Sequence, residues 1–216
     1  MKNRRICAVI TDRNTNISQN EGMADLYEVR IDLIGNGWQE TASRLRKPWI
    51  ACNRRKEEDG NWQGSEEGRI EELLKALPLG ADIIDIELAT PGLNKIVPVI
   101  KQKKTCLISW HNFKETPAFG ELKDVVLSQI DAGANICKVV AFANKAEDNL
   151  TVLRLIPEFP GKRIIAFAMG DKGISSRILC PLIGGDFTYA ALERGAESAV
   201  GQVTVKEMYE IYRMVK

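Results

Sequence analysis

The chain has one histidine, no C-x-x-C pair among its five cysteines, no excess of either charge, and no apolar run near the eighteen or so residues of a membrane span. Each shortage excludes something. A single histidine cannot build a histidine-rich metal site. Cys7, Cys52, Cys106, Cys137 and Cys180 are odd in number, and four of them sit in apolar, strand-like runs. Buried thiols in a reducing cytoplasm explain them better than disulfides or zinc. With 30 Lys and Arg against 29 Asp and Glu, the formal charge is +1, which leaves no global field to hold nucleic acid or an anionic membrane. The basic clusters are local, at Arg54-Arg55-Lys56 and at Lys101, Lys103 and Lys104, and the second reads as a solvated surface. The start, Met1 to Arg5, is basic, but the apolar run behind it stops at Thr11 and Asp12, too short for a signal peptide. What is present is ordinary for a folded globular protein: 216 residues, 44% apolar and 27% charged, far from a disordered composition.

Eight short apolar or β-branched runs read as strands: 5–10, 26–32, 48–53, 82–88, 105–110, 135–141, 163–168 and 186–190. Segments with helical spacing lie between them. Ile70, Leu73, Leu74 and Leu77 share a face in 66–77, Leu122, Val125, Val126 and Ile130 in 122–132, and Val205, Met208, Ile211 and Tyr212 in 203–215. Strict alternation argues a parallel sheet, and eight such units predict an α/β fold of the (β/α)8 TIM-barrel type, with residues 1–216 as a single catalytic domain. The rival is an open doubly wound sheet, which usually carries a glycine-rich loop after its first strand. Here Ile10 is followed by Thr-Asp-Arg-Asn-Thr-Asn, without glycine.

In a barrel the active site lies at the C-terminal ends of the strands. Strand two offers Glu28, Arg30 and Asp32, spaced by two and so expected on one face; strand four offers Asp85 and Glu87 in the same way. Strand three runs into Arg54, with Glu58 beyond, and strand five ends at His111. Charges inside strands are unfavourable unless paired, so a structural ion-pair network is one explanation of the acidic and basic residues here. Lys138, between Ile136-Cys137 and Val139-Val140, is more telling. It either snorkels to a rim, pairs with a carboxylate, or serves as an imine-forming nucleophile, for which burial and a nearby cation such as Arg30 or Arg54 would favour the free amine. His111 stands at the end of the preceding strand, and an imidazole can act as base and acid in one turnover.

At these residues the sequence resembles the type I 3-dehydroquinate dehydratases, which work through a Schiff base in the shikimate pathway. The resemblance runs in chain order through Glu28-Val29-Arg30-Ile31-Asp32, Asn53-Arg54-Arg55 with Glu58 and Gly60, and Ile84-Asp85-Ile86-Glu87-Leu88. It continues through Ser109-Trp110-His111-Asn112-Phe113 with Thr116-Pro117, Cys137-Lys138, Met169-Gly170-Asp171-Lys172-Gly173 with Ser176-Arg177, and Ser198-Ala199-Val200-Gly201-Gln202. It implies a (β/α)8 barrel, commonly a homodimer, that converts 3-dehydroquinate to 3-dehydroshikimate and water with no metal and no organic cofactor. By position, Lys138 matches the imine-forming lysine, His111 the general acid/base and Glu58 the glutamate beside the histidine. Glu28, Arg30, Arg54, Arg177, Ser198 and Gln202 match substrate contacts. The chain departs from the family pattern at Val200, where proline is frequent, at Asp59, where glycine is, and at Phe167, often methionine.

Two other readings share the residues. A class I aldolase would use the same barrel and imine lysine, usually with a phosphate cradle after strands seven and eight. A barrel that only binds a carboxylated ligand would keep Arg177 and Gln202 but have no use for a buried lysine.

Overall fold

The computed structural model describes residues 5–215. All eight expected strands form: β1 (Ile6–Ile10), β2 (Leu26–Arg30), β3 (Trp49–Cys52), β4 (Ile83–Glu87), β5 (Thr105–His111), β6 (Ile136–Phe142), β7 (Arg163–Met169) and β8 (Thr188–Ala191). They lie in the order β7-β6-β5-β4-β3-β2-β1-β8. β1 pairs in parallel with both β2 and β8, so the sheet curls round on itself. At the remaining seam the Asp186 amide donates to the Ile164 carbonyl at 2.8 Å, which ties β7 to the start of β8 and leaves a nearly closed barrel.

The helices pack outside it: α1 (Ile31–Ile34), α2 (Trp38–Ser43), α3 (Glu66–Leu74), α4 (Leu93–Lys101), α5 (Phe119–Asp131), α6 (Asp148–Leu153), α7 (Leu155–Glu158), α8 (Ile174–Leu182) and α9 (Val205–Met214). The alternation has one gap, because the β1–β2 connection carries only a 3-10 turn at Ile17–Asn20. The three helices expected from spacing are α3, α5 and α9. Their starts are set by local chemistry at two of the three. The Ser65 hydroxyl accepts from the Gly68 amide, and Thr204 with Glu207 closes a reciprocal capping box. No helix among the described residues is long and apolar enough to cross a membrane.

Residues two apart on a strand share a face, and the register stacks that face into levels. Leu26, Ile50, Ile83, Leu107 and Ile136 belong to one buried apolar cluster that fills the N-terminal end of the barrel. Two residues further along these strands come Glu28, Cys52, Asp85, Ser109 and Lys138. Strand pairing sets Cys52 beside Asp85 and Ser109 beside Lys138. The interior thus changes from apolar to charged within one step along the strands.

Two expectations need correction. β2 stops at Arg30, and Asp32 lies in α1 rather than on the strand face, because the chain turns into a helix at Ile31. β8 starts at Thr188 and runs to Ala191, later at both ends than the expected 186–190. Asp186, expected in that strand, binds Arg5 and Arg163 instead. Leu73 on α3 is fully buried in the cluster between helices and sheet. Leu73→Ala is expected to lower unfolding free energy by about 2–5 kcal/mol, read from urea midpoints; a shift under about 1 kcal/mol would mean that the site collapses around the gap.

Candidate active site

Asp85 is the hub of the charged level. Its Oδ2 accepts from Arg54 at 2.8 Å and from the Lys138 ammonium at 3.1 Å, and its Oδ1 accepts from the Ser109 hydroxyl at 2.6 Å. Burial alone would raise this carboxyl, but Arg54, Lys138 and the hydrogen bonds outweigh it and hold the group well below the usual carboxylate range. Arg54 also reaches Glu87 at 2.9 Å and Ser109 at 2.6 Å. Glu87 is gripped from the far side by Arg69 at 2.9 Å. Arg69 is fully buried on α3 and binds Glu66 through two 2.8 Å bonds.

Lys138 is 5% exposed. Besides Asp85 it has Glu28 Oε1 at 3.7 Å and lies over the Tyr189 ring, 4.1 Å from its centroid. The expected neighbouring cation is Arg54, which shares the Asp85 oxygen with it. Glu28, Cys52 and Asp85 bring donor atoms within 4.8 Å of one another, a spacing that a cation could use. Both carboxylates of that group are turned to the lysine nitrogen instead.

His111 completes β5 and carries Glu58 on its Nδ1 at 2.7 Å. Glu58 arrives on a tight turn. Lys56–Glu58 form a 3-10 turn, Asp59 takes a left-handed φ of 61°, and a Cβ at Gly60 would sit 1.9 Å from the Arg54 carbonyl oxygen. Glycine is therefore required at residue 60, and Asp59 takes the strained position that an aspartate tolerates better than most residues. Burial pushes Glu58 up to about 7, with Glu87 and Asp85 adding to it against the pull of Arg54. Burial also holds His111 well below its ordinary value, helped by the charges of Arg54 and Lys138. That direction favours the neutral imidazole, and with Nδ1–H given to an ionised Glu58 the lone pair falls on Nε2, the form a base needs. Phe113 stacks on the ring at 5.9 Å.

Arg177 stands at the mouth on α8, 1% exposed. Its Nε and one terminal nitrogen have no hydrogen-bond partner, and no carboxylate among the described residues is in ion-pair range. Its guanidinium rests on the Phe167 ring at 4.6 Å, and burial pushes it down to about 10. A buried, unpaired guanidinium is unfavourable until an anion meets it, and its fork suits a carboxylate. The loop after β8 brings Ser198 and Gln202, whose Oε1 accepts from the Ser198 amide at 2.8 Å. Gly201 holds that loop against the end of β7, where a Cβ would meet the Gly170 carbonyl oxygen at 2.3 Å. Arg30 is bound by Asp32 through bonds of 3.0 and 2.7 Å.

The nine residues singled out from the sequence, Glu28, Arg30, Arg54, Glu58, His111, Lys138, Arg177, Ser198 and Gln202, all line one cavity of about 480 Å³, counting its part open to solvent. The ion-pair explanation also holds in part, since Arg30, Arg54, Asp85 and Glu87 are mutually or locally paired. Asp32 still serves the site: having left the strand, it accepts from the Arg54 and Asn61 amides as well as from Arg30. Sequence reasoning missed Arg69 and the ring under Lys138. The only trace of Arg69 was Glu66 three residues earlier, a spacing that any exposed helix also shows. The five cysteines are free and buried, as expected.

A nearly closed parallel barrel, with a buried lysine on β6, a histidine–glutamate pair on the neighbouring strand and an unpaired arginine across the mouth, defines the architecture of a lysine-dependent barrel enzyme. A family model described as type I 3-dehydroquinase matches residues 7–216. The 3-dehydroquinate dehydratase of Dehalococcoides mccartyi is 46% identical over 217 residues, covering 100% of this chain and 97% of that protein. That of Methanosarcina acetivorans is 34% identical over 232 residues, covering 100% and 96%. Among solved structures, the 3-dehydroquinate dehydratase from Aquifex aeolicus is 31% identical, with a TM-score of 0.80, covering 97% of this chain and 98% of that one. The type I 3-dehydroquinate dehydratase from Clostridium difficile has a TM-score of 0.87 at 22% identity, covering 100% and 93%, and speaks for the fold. The chain belongs to the type I 3-dehydroquinase family.

Because His111 is the only histidine, its ring nitrogens can be followed in the whole protein. Nitrogen-15 NMR at pH 8, above the Glu58 titration near 7, is expected to show a neutral imidazole protonated at Nδ1; an imidazolium spectrum at that pH would contradict the arrangement with Glu58.

Proposed function

We propose that the chain is a 3-dehydroquinate dehydratase of the Schiff-base type, a hydro-lyase that turns 3-dehydroquinate into 3-dehydroshikimate and water in the shikimate pathway. Lys138 is the nucleophile, His111 the acid/base, and residues 1–216 act as one catalytic domain. The observation that carries this reading is the separation of roles across one cavity. A buried lysine sits at the floor, an imidazole held through Nδ1 by Glu58 on the next strand, and an unpaired guanidinium at the mouth. Family membership decides between the two lysine-dependent readings in favour of the dehydratase over the aldolase.

The steps follow from those positions. The Lys138 ammonium gives one proton to His111 Nε2, the free amine adds to the ring ketone, and His111 returns that proton to the oxygen, which leaves as water to give a protonated imine. That imine draws electrons from the adjacent carbon, so His111 Nε2 can remove a proton there. The enamine then expels the hydroxyl one carbon further on, and His111 returns the proton so that it leaves as water. Hydrolysis of the conjugated imine frees the enone and restores Lys138. Glu58 keeps Nε2 directed at the substrate by holding Nδ1, and Arg177 grips the substrate carboxylate through two parallel hydrogen bonds. Glu28, Arg30, Arg54, Ser198 and Gln202 complete the polar lining that meets the ring hydroxyls.

The same reading places the enzyme in the cytoplasm as a homodimer. Five free buried thiols and the family resemblance support it, and sedimentation velocity at micromolar concentration reports the oligomeric state.

Appearance of enone absorbance with 3-dehydroquinate tests the activity directly. The native protein is expected to turn over. Lys138→Met should lose activity to background, and His111→Ala should lose about 10²–10⁴-fold in kcat. Turnover by Lys138→Met at native rates would overturn the reading. The pH profile is a separate test. Glu58 must be ionised to accept from Nδ1–H, so kcat/KM should rise with pH through about 7, and Glu58→Gln should flatten that limb. An unchanged limb in the variant would assign it to another group.

A further inference from the structure

We propose that Tyr189 is a positioning residue for the reacting nitrogen, its ring face acting as the platform for the iminium formed on Lys138. The inference rests on the dehydratase reading and assigns a role that the acid–base steps leave open.

Three features of the geometry point to it. The Lys138 nitrogen lies 4.1 Å from the Tyr189 ring centroid, well inside the range in which an aromatic face attracts a cation. The ring is 3% exposed and is held by two others, Phe187 at 5.4 Å and Phe167 at 6.1 Å, both tilted near 60° to it. It cannot easily swing away. The phenol oxygen is buried without a hydrogen-bond partner, so no polar contact of that hydroxyl accounts for an aromatic residue here. The ring itself is the part that meets the site.

Counting donors shows what the ring supplies. The resting ammonium has three N–H groups, and Asp85 at 3.1 Å and Glu28 at 3.7 Å are both turned to it. Condensation with the ketone forms the C=N bond and expels the carbonyl oxygen as water. The nitrogen keeps a single N–H, which serves one carboxylate oxygen. The positive charge remains while two of the three N–H donors are lost. An aromatic face needs no N–H to stabilise a cation, so its share grows as the ammonium becomes the iminium. Phe167 extends the device, since the same ring that braces Tyr189 carries the Arg177 guanidinium at 4.6 Å. The two cations that meet the ketone and the carboxylate therefore stand on adjoining rings.

The test is a near-isosteric series at one position. Tyr189→Phe is the reference, and mono-, di- and trifluorophenylalanine are installed at residue 189 to weaken the ring face stepwise without reshaping it. Each protein is equilibrated with 3-dehydroshikimate at graded concentration and reduced with borohydride, and the fraction of Lys138 captured is read by mass. The half-saturating concentration for capture is expected to rise step by step, by about tenfold across the series, with thermal midpoints unchanged. Tyr189→Leu should fall at the weak end. Capture independent of fluorination would overturn the platform, because a purely space-filling ring would behave that way. If the native protein itself neither produces enone nor captures ligand, the dehydratase reading fails instead, and the two failures are distinct.

Discussion

One carboxylate oxygen, buried in the middle of the barrel, carries two cations. Asp85 Oδ2 binds Arg54 and Lys138 together, and neither cation could stand at that depth without it. Asp85 is itself tolerable only because Ser109 and both cations compensate its burial. Arg54 in turn needs Glu87, and Glu87 is met by Arg69 from the helix behind it. The chain of dependence runs from α3 through β4 to the amine on β6. Removing one member leaves an uncompensated buried charge, so the network is cooperative in the sense that its parts are not separately removable.

The mouth follows the opposite logic. There burial lowers the pKa of both His111 and Arg177, and no carboxylate among the described residues offsets it for the arginine. At the floor Lys138 and Arg54 have their counter-charges within the chain, whereas at the mouth Arg177 has none among the described residues. On the proposed function, a cyclic hydroxy-acid with a ketone would satisfy both ends at once, its carboxylate against the guanidinium and its carbonyl at the amine. Orientation of that kind supplies much of what a barrel enzyme contributes beyond the chemistry of its nucleophile.

Much of this could be read along the chain, and the exceptions have physical causes. The strands were legible because β-branched runs alternate with helical spacing, and Lys138 stood out because lysine has no packing reason to lie among Ile136, Val139 and Val140. Asp32 was misplaced because period-two spacing carries on past a strand end, while the backbone turned at Ile31. The missing helix between β1 and β2 left no clear mark, since a 3-10 turn has too little length for periodicity. Arg69 looked like one more helix-surface charge; only packing shows that it is sealed beneath Glu87. The Tyr189 ring was hidden for another reason: β8 meets β6 only across the barrel interior, a proximity that no local pattern encodes.

The central claim is that Lys138 forms a covalent imine with a cyclic keto-acid, and borohydride reduction followed by peptide mass mapping tests it most directly. Incubation with 3-dehydroquinate and reduction should leave a stable adduct on the peptide carrying Lys138 and on no other lysine. An unmodified Lys138, or an adduct that maps elsewhere while enone still accumulates, would contradict the account.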